Sequence, residues 1–225
     1  YYAVGKLNTD VGKDIISGIN NGCQQSNCML LGGETAEMPS LYNEEDFDLA
    51  GFSVGVIEGE TLPQQMKGGD KIYGLKSSGV HSNGYSLINK ILETNEYSQD
   101  ELLKPTKIYV NDIIYLREKY GSNIKGICHI TGGGIIDNIP RIINEGFNMN
   151  ITESWEVPDI FRWIFNNSDM TVQEMLQTYN CGIGMVLIFD KDTTVDPEDE
   201  LITLGEIIQS EDSIVDYGLI EASFN

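Results

Sequence analysis

An almost uninterrupted apolar segment at 182–189 limits the possible folds of this chain more than any other feature. The segment reads GIGMVLIF and carries no charged residue. It is much shorter than the roughly 18 apolar residues that a membrane-spanning helix needs, and it lacks the polar alternation of a strand with one wet face. It therefore predicts a central β-strand that is covered on both faces, which favours a layered α/β domain.

The other segments fit the same mixed α/β class. Helix-like spacing of apolar residues alternates with short β-rich runs along the chain. Helices are predicted at 8–25, 84–94, 107–120 and 135–145, with one or two more between 158 and 178. Strands are predicted at 27–31, 49–57, 70–75, 124–130, 201–209 and 214–222. The segment 59–69 is rich in glycine and contains Pro63, which predicts a linker between one domain at 1–60 and another at 68–225.

The formal net charge of −21 argues against two classes of partner. Fourteen Lys and Arg oppose 35 Asp and Glu, and no basic residue follows Lys191. Binding to the backbone of a nucleic acid, or to an anionic membrane surface, requires a basic surface. A small anionic ligand is still compatible with this charge, because backbone N–H groups can hold a phosphate inside an acidic protein.

The cysteines predict neither a zinc site nor a disulfide framework. Cys23, Cys28, Cys128 and Cys181 are irregularly spaced, and the chain has only two histidines. We therefore expect reduced, buried thiols in a cytoplasmic protein. The N-terminus has no signal-peptide pattern and begins with Tyr1 rather than Met, so we expect a piece of a longer chain.

Two Gly- and Ser-rich turns, each between a predicted strand and a predicted helix, hold the two histidines. We call them the Ser77 loop (77–85) and the glycine loop (129–134). Polar turns at strand ends are where binding and catalytic groups concentrate in α/β folds. The candidates are Ser77, Ser78, Gly79, His81, Ser82, Asn83, Gly84 and Tyr85 in the first loop, and His129, Thr131, Gly132, Gly133 and Gly134 in the second.

Three consecutive glycines before a helix predict an anion cradle in the glycine loop. Glycine lets the backbone approach a phosphate closely, and the helix that follows supplies free N–H groups. The alternative is a tight connection that needs a positive φ, for which one glycine would suffice. His81 and His129 are candidate acid/base groups or polar ligand contacts, because imidazole titrates near neutral pH. A purely structural role is the alternative for both.

A third cluster follows the predicted strand 27–31 and consists of Gly33, Glu34, Thr35 and Glu37. Its oxygen ligands suit Mg²⁺ beside nucleotide phosphates. The alternative is a helix start capped by Thr35, which Pro39 would cut short, so we expect an ordered loop. Arg141 lies in the predicted helix after the glycine loop and either clamps a phosphate or is an exposed helix residue.

Several strings in this order resemble one family. The most specific are GGETAEMP at 32–39, SSGVHSNGYSL at 77–87 and HITGGGIIDNIPR at 129–141. Weaker support comes from PTKIYV at 105–110, IFRW at 160–163 and YNCGIGM at 179–185. The ordered set is similar to the aminoimidazole ribonucleotide synthetases, also called phosphoribosylformylglycinamidine cyclo-ligases, over essentially the whole chain.

The resemblance implies a two-domain synthetase fold and an ATP-dependent ring closure of purine biosynthesis, in which Mg²⁺ takes part. Formylglycinamidine ribonucleotide would be converted to aminoimidazole ribonucleotide in a pocket built from the Ser77 loop, the glycine loop and Arg141. His81 and His129 would be the catalytic candidates. Glu34, Thr35 and Glu37 would lie near the nucleotide or a subunit interface, with Glu34 as a metal ligand. The resemblance also implies a homodimer with a β-barrel shared between the N-terminal domains.

The chain departs from this family at two places. The family has a stretch before the segment that resembles 1–7, with a mobile Gly-rich loop and aspartates that bind ATP and metal. Residues 1–60 would then be the remaining half of an ATP-binding and dimerisation domain. The segment 190–201 is also shorter than the family's helical crossover. The alternatives are a non-catalytic phosphate- or nucleotide-binding remnant and a sister ATP-dependent synthetase or kinase of the same superfamily.

Overall fold

The computed structural model describes residues 1–59 and 61–224, and these form two compact units. The smaller unit comprises Tyr1–Gly59 together with Ile108–Tyr115. The larger unit comprises the described residues of Glu60–Lys107 and Leu116–Asn225. Both units mix helices with sheet, so the predicted α/β class is confirmed.

The smaller unit has a three-stranded sheet and one long helix. Its elements are β1 (Tyr2–Val4), α1 (Thr9–Gln25), β2 (Thr35–Glu37) and β3 (Phe47–Leu49). Strand β1 lies in the middle, parallel to β2 and antiparallel to β3. Helix α1 begins where the Asn8 side chain accepts the N–H groups of Asp10 and Val11, because the first turn of a helix has unpaired donors.

The larger unit is built on a six-stranded sheet in the order β5-β7-β4-β8-β6-β9. The strands are β4 (Lys71–Lys76), β5 (Ile124–His129), β6 (Asn148–Ile151), β7 (Ile183–Phe189), β8 (Ile202–Ile208) and β9 (Ile214–Val215). All neighbouring pairs are antiparallel except β6 with β9. Strand β7 pairs on both sides and is buried along almost its whole length, as the apolar segment 182–189 predicts.

Helices supply the apolar layers that cover this sheet. They are α2 (Tyr85–Leu92), α3 (Gln99–Leu102), α5 (Gly134–Asn138), α6 (Asp159–Asn166), α7 (Val172–Thr178) and α8 (Tyr217–Glu221). Helix α4 (Val110–Tyr120) belongs to the smaller unit up to Tyr115 and to the larger unit from Leu116. Short 3₁₀ turns occur at Gly121–Asn123, Ile139–Ile142 and Pro197–Asp199. Helix α7 begins with a capping box, in which Thr171 Oγ1 accepts the Glu174 N–H and Glu174 Oε2 accepts the Thr171 N–H. Its apolar face then joins the core through Met175 and Leu176.

Four predicted elements differ from the structure. Residues 27–31 form no strand, because Asn27 takes a left-handed conformation (φ 50°) that closes the end of α1 and turns the chain. The strand predicted at 49–57 overlaps the observed β3 only at Leu49, Ala50 exchanges backbone hydrogen bonds with Tyr1, and residues 51–57 pair with no strand in the described part of the chain. The predicted helix 135–145 is shorter, and the strand 214–222 becomes β9 followed by α8, which the Asp216 side chain caps.

The helices of the described residues are all too short or too polar to cross a lipid bilayer.

Candidate functional site

The Ser77 loop joins β4 to α2 and is held by the segment that precedes β7. The Asn180 side-chain amide donates to the Gly79 carbonyl at 2.8 Å, and the Tyr179 hydroxyl donates to the Gly84 carbonyl at 2.9 Å. Gly84 has a φ of 77°, and a Cβ there would lie 2.1 Å from the Tyr179 ring. Only glycine fits this position, so the loop conformation is fixed by packing as well as by hydrogen bonds.

His81 is a buried, hydrogen-bonded part of the Ser77 loop. Its Nε2 accepts the N–H of Ser78 at 3.2 Å and the N–H of Lys107 at 3.5 Å, and the residue is only 5% exposed. Because Nε2 accepts, the neutral ring carries its proton on Nδ1. Burial, together with repulsion from His129, lowers the pKa of His81 to about 4. His81 is therefore an uncharged imidazole at neutral pH.

The glycine loop follows β5, and two of its three glycines have a structural reason. Gly133 has a φ of 99° at the start of α5. Gly134 has a φ of 54°, and a Cβ there would lie 2.0 Å from the Leu176 carbonyl oxygen. Gly132 has no such restriction, because its nearest neighbour would be the Asn83 side-chain oxygen at 3.3 Å. A tight connection thus explains Gly133 and Gly134 but leaves Gly132 open to a ligand.

Asn138 organises the glycine loop, although the sequence did not single it out as a site residue. Its buried amide donates to the carbonyls of Gly134 at 2.7 Å and Gly132 at 3.2 Å. Its Oδ1 accepts the Arg141 guanidinium at 3.3 Å, so Arg141 is tied to the same loop while remaining exposed. The only sequence signal was a polar residue on a helix face otherwise filled by isoleucine.

The structure brings the two loops side by side. The ring centroids of His81 and His129 are 6.4 Å apart, and Gly132 lies beside Asn83. His129 ends β5 at an exposed position, yet the surrounding protein still lowers its pKa by burial. Ser82 and Thr106 share a hydroxyl hydrogen bond of 3.2 Å at the edge of the same loop. A neutral imidazole pair beside exposed glycine backbone can exchange protons with a ligand and bind its anionic groups.

Other candidates of the Ser77 loop belong to a neighbouring cleft. Ser77, Ser78 and Gly79 line an open cleft of about 500 Å³ together with Tyr97, Glu101, Lys104, Pro158, Asp159 and Ile160. Neither histidine lines this cleft. Tyr85 does not reach a ligand position, because its hydroxyl donates to the carbonyls of Leu102 and His81.

The third cluster lies in the smaller unit and is not the ordered loop that we expected. Thr35 and Glu37 are part of strand β2, because the Glu34 carbonyl and the residues after it pair with β1. Gly33, Glu34 and Glu37 are all exposed, and Glu37 Oε2 accepts the Leu7 N–H at 3.0 Å. Within residues 1–59 and 61–224, no group of three or more His, Cys, Asp or Glu side chains is placed to hold a metal ion.

Comparison with known proteins places these features in one family. Residues 67–209 match the domain described as AIR synthase related protein, C-terminal domain. The phosphoribosylformylglycinamidine cyclo-ligase of Thermoanaerobacter pseudethanolicus is 45% identical over 96% of this chain, which spans 70% of that protein. The protein of the same name from Bordetella avium is 39% identical over 95% of this chain, which spans 67% of its length.

Solved structures of more distant proteins share the fold. Thiamine monophosphate kinase from Aquifex aeolicus aligns with a TM-score of 0.60 at 16% identity, covering 95% of this chain and 70% of the kinase. A second structure, of AaThiL complexed with AMPPCP and TMP, aligns with a TM-score of 0.59 at 16% identity, over 96% of this chain and 69% of that one. At this level of identity the likeness concerns architecture alone.

Proposed function

The chain belongs to the phosphoribosylformylglycinamidine cyclo-ligase family, and on that premise we propose that it serves the ATP-dependent closure of the imidazole ring in purine biosynthesis. The observation that carries this proposal is the identity of 39–45% to named cyclo-ligases over nearly the whole chain. In the reaction, ATP phosphorylates the amide oxygen of formylglycinamidine ribonucleotide. An internal nitrogen of the substrate then displaces the phosphate, which yields aminoimidazole ribonucleotide, ADP and phosphate.

The adjacent Ser77 and glycine loops are the proposed binding site for the substrate and its phosphates. Exposed backbone at Gly132, the side chain of Asn83 and the exposed Arg141 guanidinium are suitable donors to anionic oxygens. Ser82 and Thr131 complete the proposed site as contacts. The other candidates, Ser77, Ser78, Gly79, Gly84, Tyr85, Gly133 and Gly134, support the conformation of the two loops. His129 is the better candidate for proton transfer, because it is more exposed than His81.

ATP and Mg²⁺ are proposed from the family and from the chemistry of Glu34. Mg²⁺ in nucleotide sites usually has one or two carboxylate ligands, and phosphate oxygens and waters supply the others. An exposed Glu34 fits that limited role, whereas Glu37 already accepts a backbone N–H. When bound, the cation would neutralise charge on the transferred phosphate. Gly33 and Thr35 would lie beside the nucleotide or at a subunit interface.

The proposed partner is a second copy of the chain, bound through the β-rich segment 50–57. Phe52, Val54 and Val56 are 94%, 84% and 87% exposed, and alternating apolar side chains of this kind are typical of a strand that pairs with another chain. We expect sedimentation equilibrium to give a dimer. Val54→Lys should weaken the dimer at least about tenfold, as burying a lysine costs more than 1.4 kcal/mol.

A matched control for this test is Leu103→Lys, at a residue that is 70% exposed in the larger unit. It should leave the association unchanged. A monomeric wild type at micromolar concentration, or equal weakening by both substitutions, would contradict the proposed interface.

The proposed activity is tested by product release from the protein at its full natural length. Adding ATP, Mg²⁺ and formylglycinamidine ribonucleotide should release ADP and phosphate in equal amounts, together with aminoimidazole ribonucleotide. Thiamine monophosphate in place of the ribonucleotide serves as the control for a sister kinase and should give no turnover. Nucleotide binding without any turnover would instead favour the non-catalytic remnant and reject the enzyme assignment.

A further inference from the structure

Two cysteines occupy paired positions in the cap that ends α1. The Cys28 N–H donates to the Cys23 carbonyl at 2.8 Å, and the Asn27 N–H donates to the Gln24 carbonyl at 3.1 Å. Asn27 lies between them in the left-handed conformation, with a φ of 50°. These are the two hydrogen bonds of a Schellman motif, in which the side chains at the positions of Cys23 and Cys28 commonly contact each other. The cap therefore holds the backbones of the two cysteines in close approach.

These two thiols differ from the other two in exposure. All four cysteines are free, but only Cys128 and Cys181 are buried; Cys23 is half-buried and Cys28 is exposed. The expectation that all the thiols are buried is therefore wrong for this pair. Burial raises the pKa of the Cys128 thiol to about 11 and raises that of Cys181 as well, so these two remain protonated and unreactive at neutral pH.

We propose that Cys23 and Cys28 form a dithiol site that a small-molecule disulfide, such as oxidised glutathione, converts to an intrachain disulfide. The Cys28 thiolate attacks one sulfur of the small disulfide and releases one small thiol, leaving a mixed disulfide. The Cys23 thiolate then attacks the Cys28 sulfur and releases the second small thiol. The protein loses two electrons and two protons, and the small disulfide gains them as two thiols.

The cap geometry makes the second step favourable. A disulfide needs Cα atoms roughly 4.4 to 6.8 Å apart, and the direct hydrogen bond between the Cys23 and Cys28 backbones holds these residues in close approach. No helical hydrogen bond has to break for the bond to form, because Cys28 lies beyond the last helical residue. The disulfide would fix the start of the segment that leads to Glu34 and β2.

The test is equilibration of the natural protein with reduced and oxidised glutathione, followed by intact-mass analysis and peptide mapping. The wild type should lose two hydrogens, and the single peptide that contains both cysteines should be two hydrogens lighter than its reduced form. Cys23→Ser and Cys28→Ser should stop at a protein–glutathione mixed disulfide. The matched control is the double variant Cys28→Ser and Met29→Cys, which moves the exposed thiol one residue out of the cap position. Its equilibrium constant for the intrachain disulfide should fall at least about tenfold, or roughly 30 mV for a two-electron couple.

Two results would overturn the proposal. The first is that the wild type accumulates only mixed or intermolecular disulfides. The second is that the displaced thiol at position 29 forms the intrachain disulfide as readily as Cys28 does. The far-UV circular dichroism of each reduced variant checks its folding. The mass of the wild-type peptide that contains both cysteines decides the question even if a variant fails to fold.

Discussion

Gly134→Ala should destabilise the larger unit by at least about 3 kcal/mol, whereas Gly132→Ala should cost less than about 1 kcal/mol. At Gly134 the new Cβ would lie 2.0 Å from the Leu176 carbonyl oxygen, and the backbone has a φ of 54°. Neither backbone can move away cheaply, because Leu176 is a buried core residue of α7. At Gly132 the nearest atom is the end of the Asn83 side chain, which can rotate.

Urea unfolding of the two variants measures this difference in the free energy of unfolding. The two glycines lie two residues apart in one loop, so each variant is a matched control for the other.

The Gly132 variant also tests whether the glycine loop binds a ligand, because the substitution should leave the fold intact. If the glycine loop binds an anion, Gly132→Ala should raise the KM for the ribonucleotide while leaving the unfolding midpoint almost unchanged. A stable Gly134→Ala protein would mean that the packing at α7 does not fix this loop. An unchanged KM in the Gly132 variant would leave the glycines with structural roles alone.

The sequence predicted the long elements and the two loops because each has a local signal. Helix α1 has clear apolar periodicity, strand β7 is a continuous apolar run, and the loops are rich in glycine and serine. Strand β6 was missed although Asn148 and Asn150 alternate with the buried Met149 and Ile151, because four residues are too short a run to predict a strand and its order comes from pairing with β8. Residues 51–57 show the converse case, a β-rich pattern without a pairing partner in the described chain.

The roles of single residues in the site depended on contacts between distant parts of the chain. The sequence treated His81 and His129 alike, but His81 is buried and accepts the backbone N–H groups of Ser78 in its own loop and of Lys107 outside it, whereas His129 is exposed. The run of three glycines suggested that all three bind an anion, whereas the close approach of the Leu176 carbonyl oxygen explains why position 134 requires glycine. Contacts of this kind join residues more than 20 positions apart in the sequence for His81 and more than 40 apart for Gly134. No local pattern contains that information.

His129→Asn should lower kcat/KM for formylglycinamidine ribonucleotide by about a hundredfold, the usual lower limit for loss of a general acid or base. Its cost in stability should stay below about 1 kcal/mol, because the side chain is exposed and the backbone pairing of β5 with Met185 is retained. His81→Ala should show the opposite pattern. It should cost about 2 kcal/mol of stability, because the N–H groups of Ser78 and Lys107 lose their acceptor.

The pH dependence distinguishes proton transfer from simple ligand contact at His129. Burial lowers the pKa of His129, so the ring stays neutral until the pH falls below the ordinary histidine value of about 6.5. If neutral His129 is the base, kcat/KM should fall on the acidic side along one limb, and this limb should be absent in His129→Asn. A limb that persists in the variant belongs to another group. Equal losses of turnover and stability in His129→Asn would assign that histidine a structural role, because a base removed from a folded site lowers the rate without unfolding the protein.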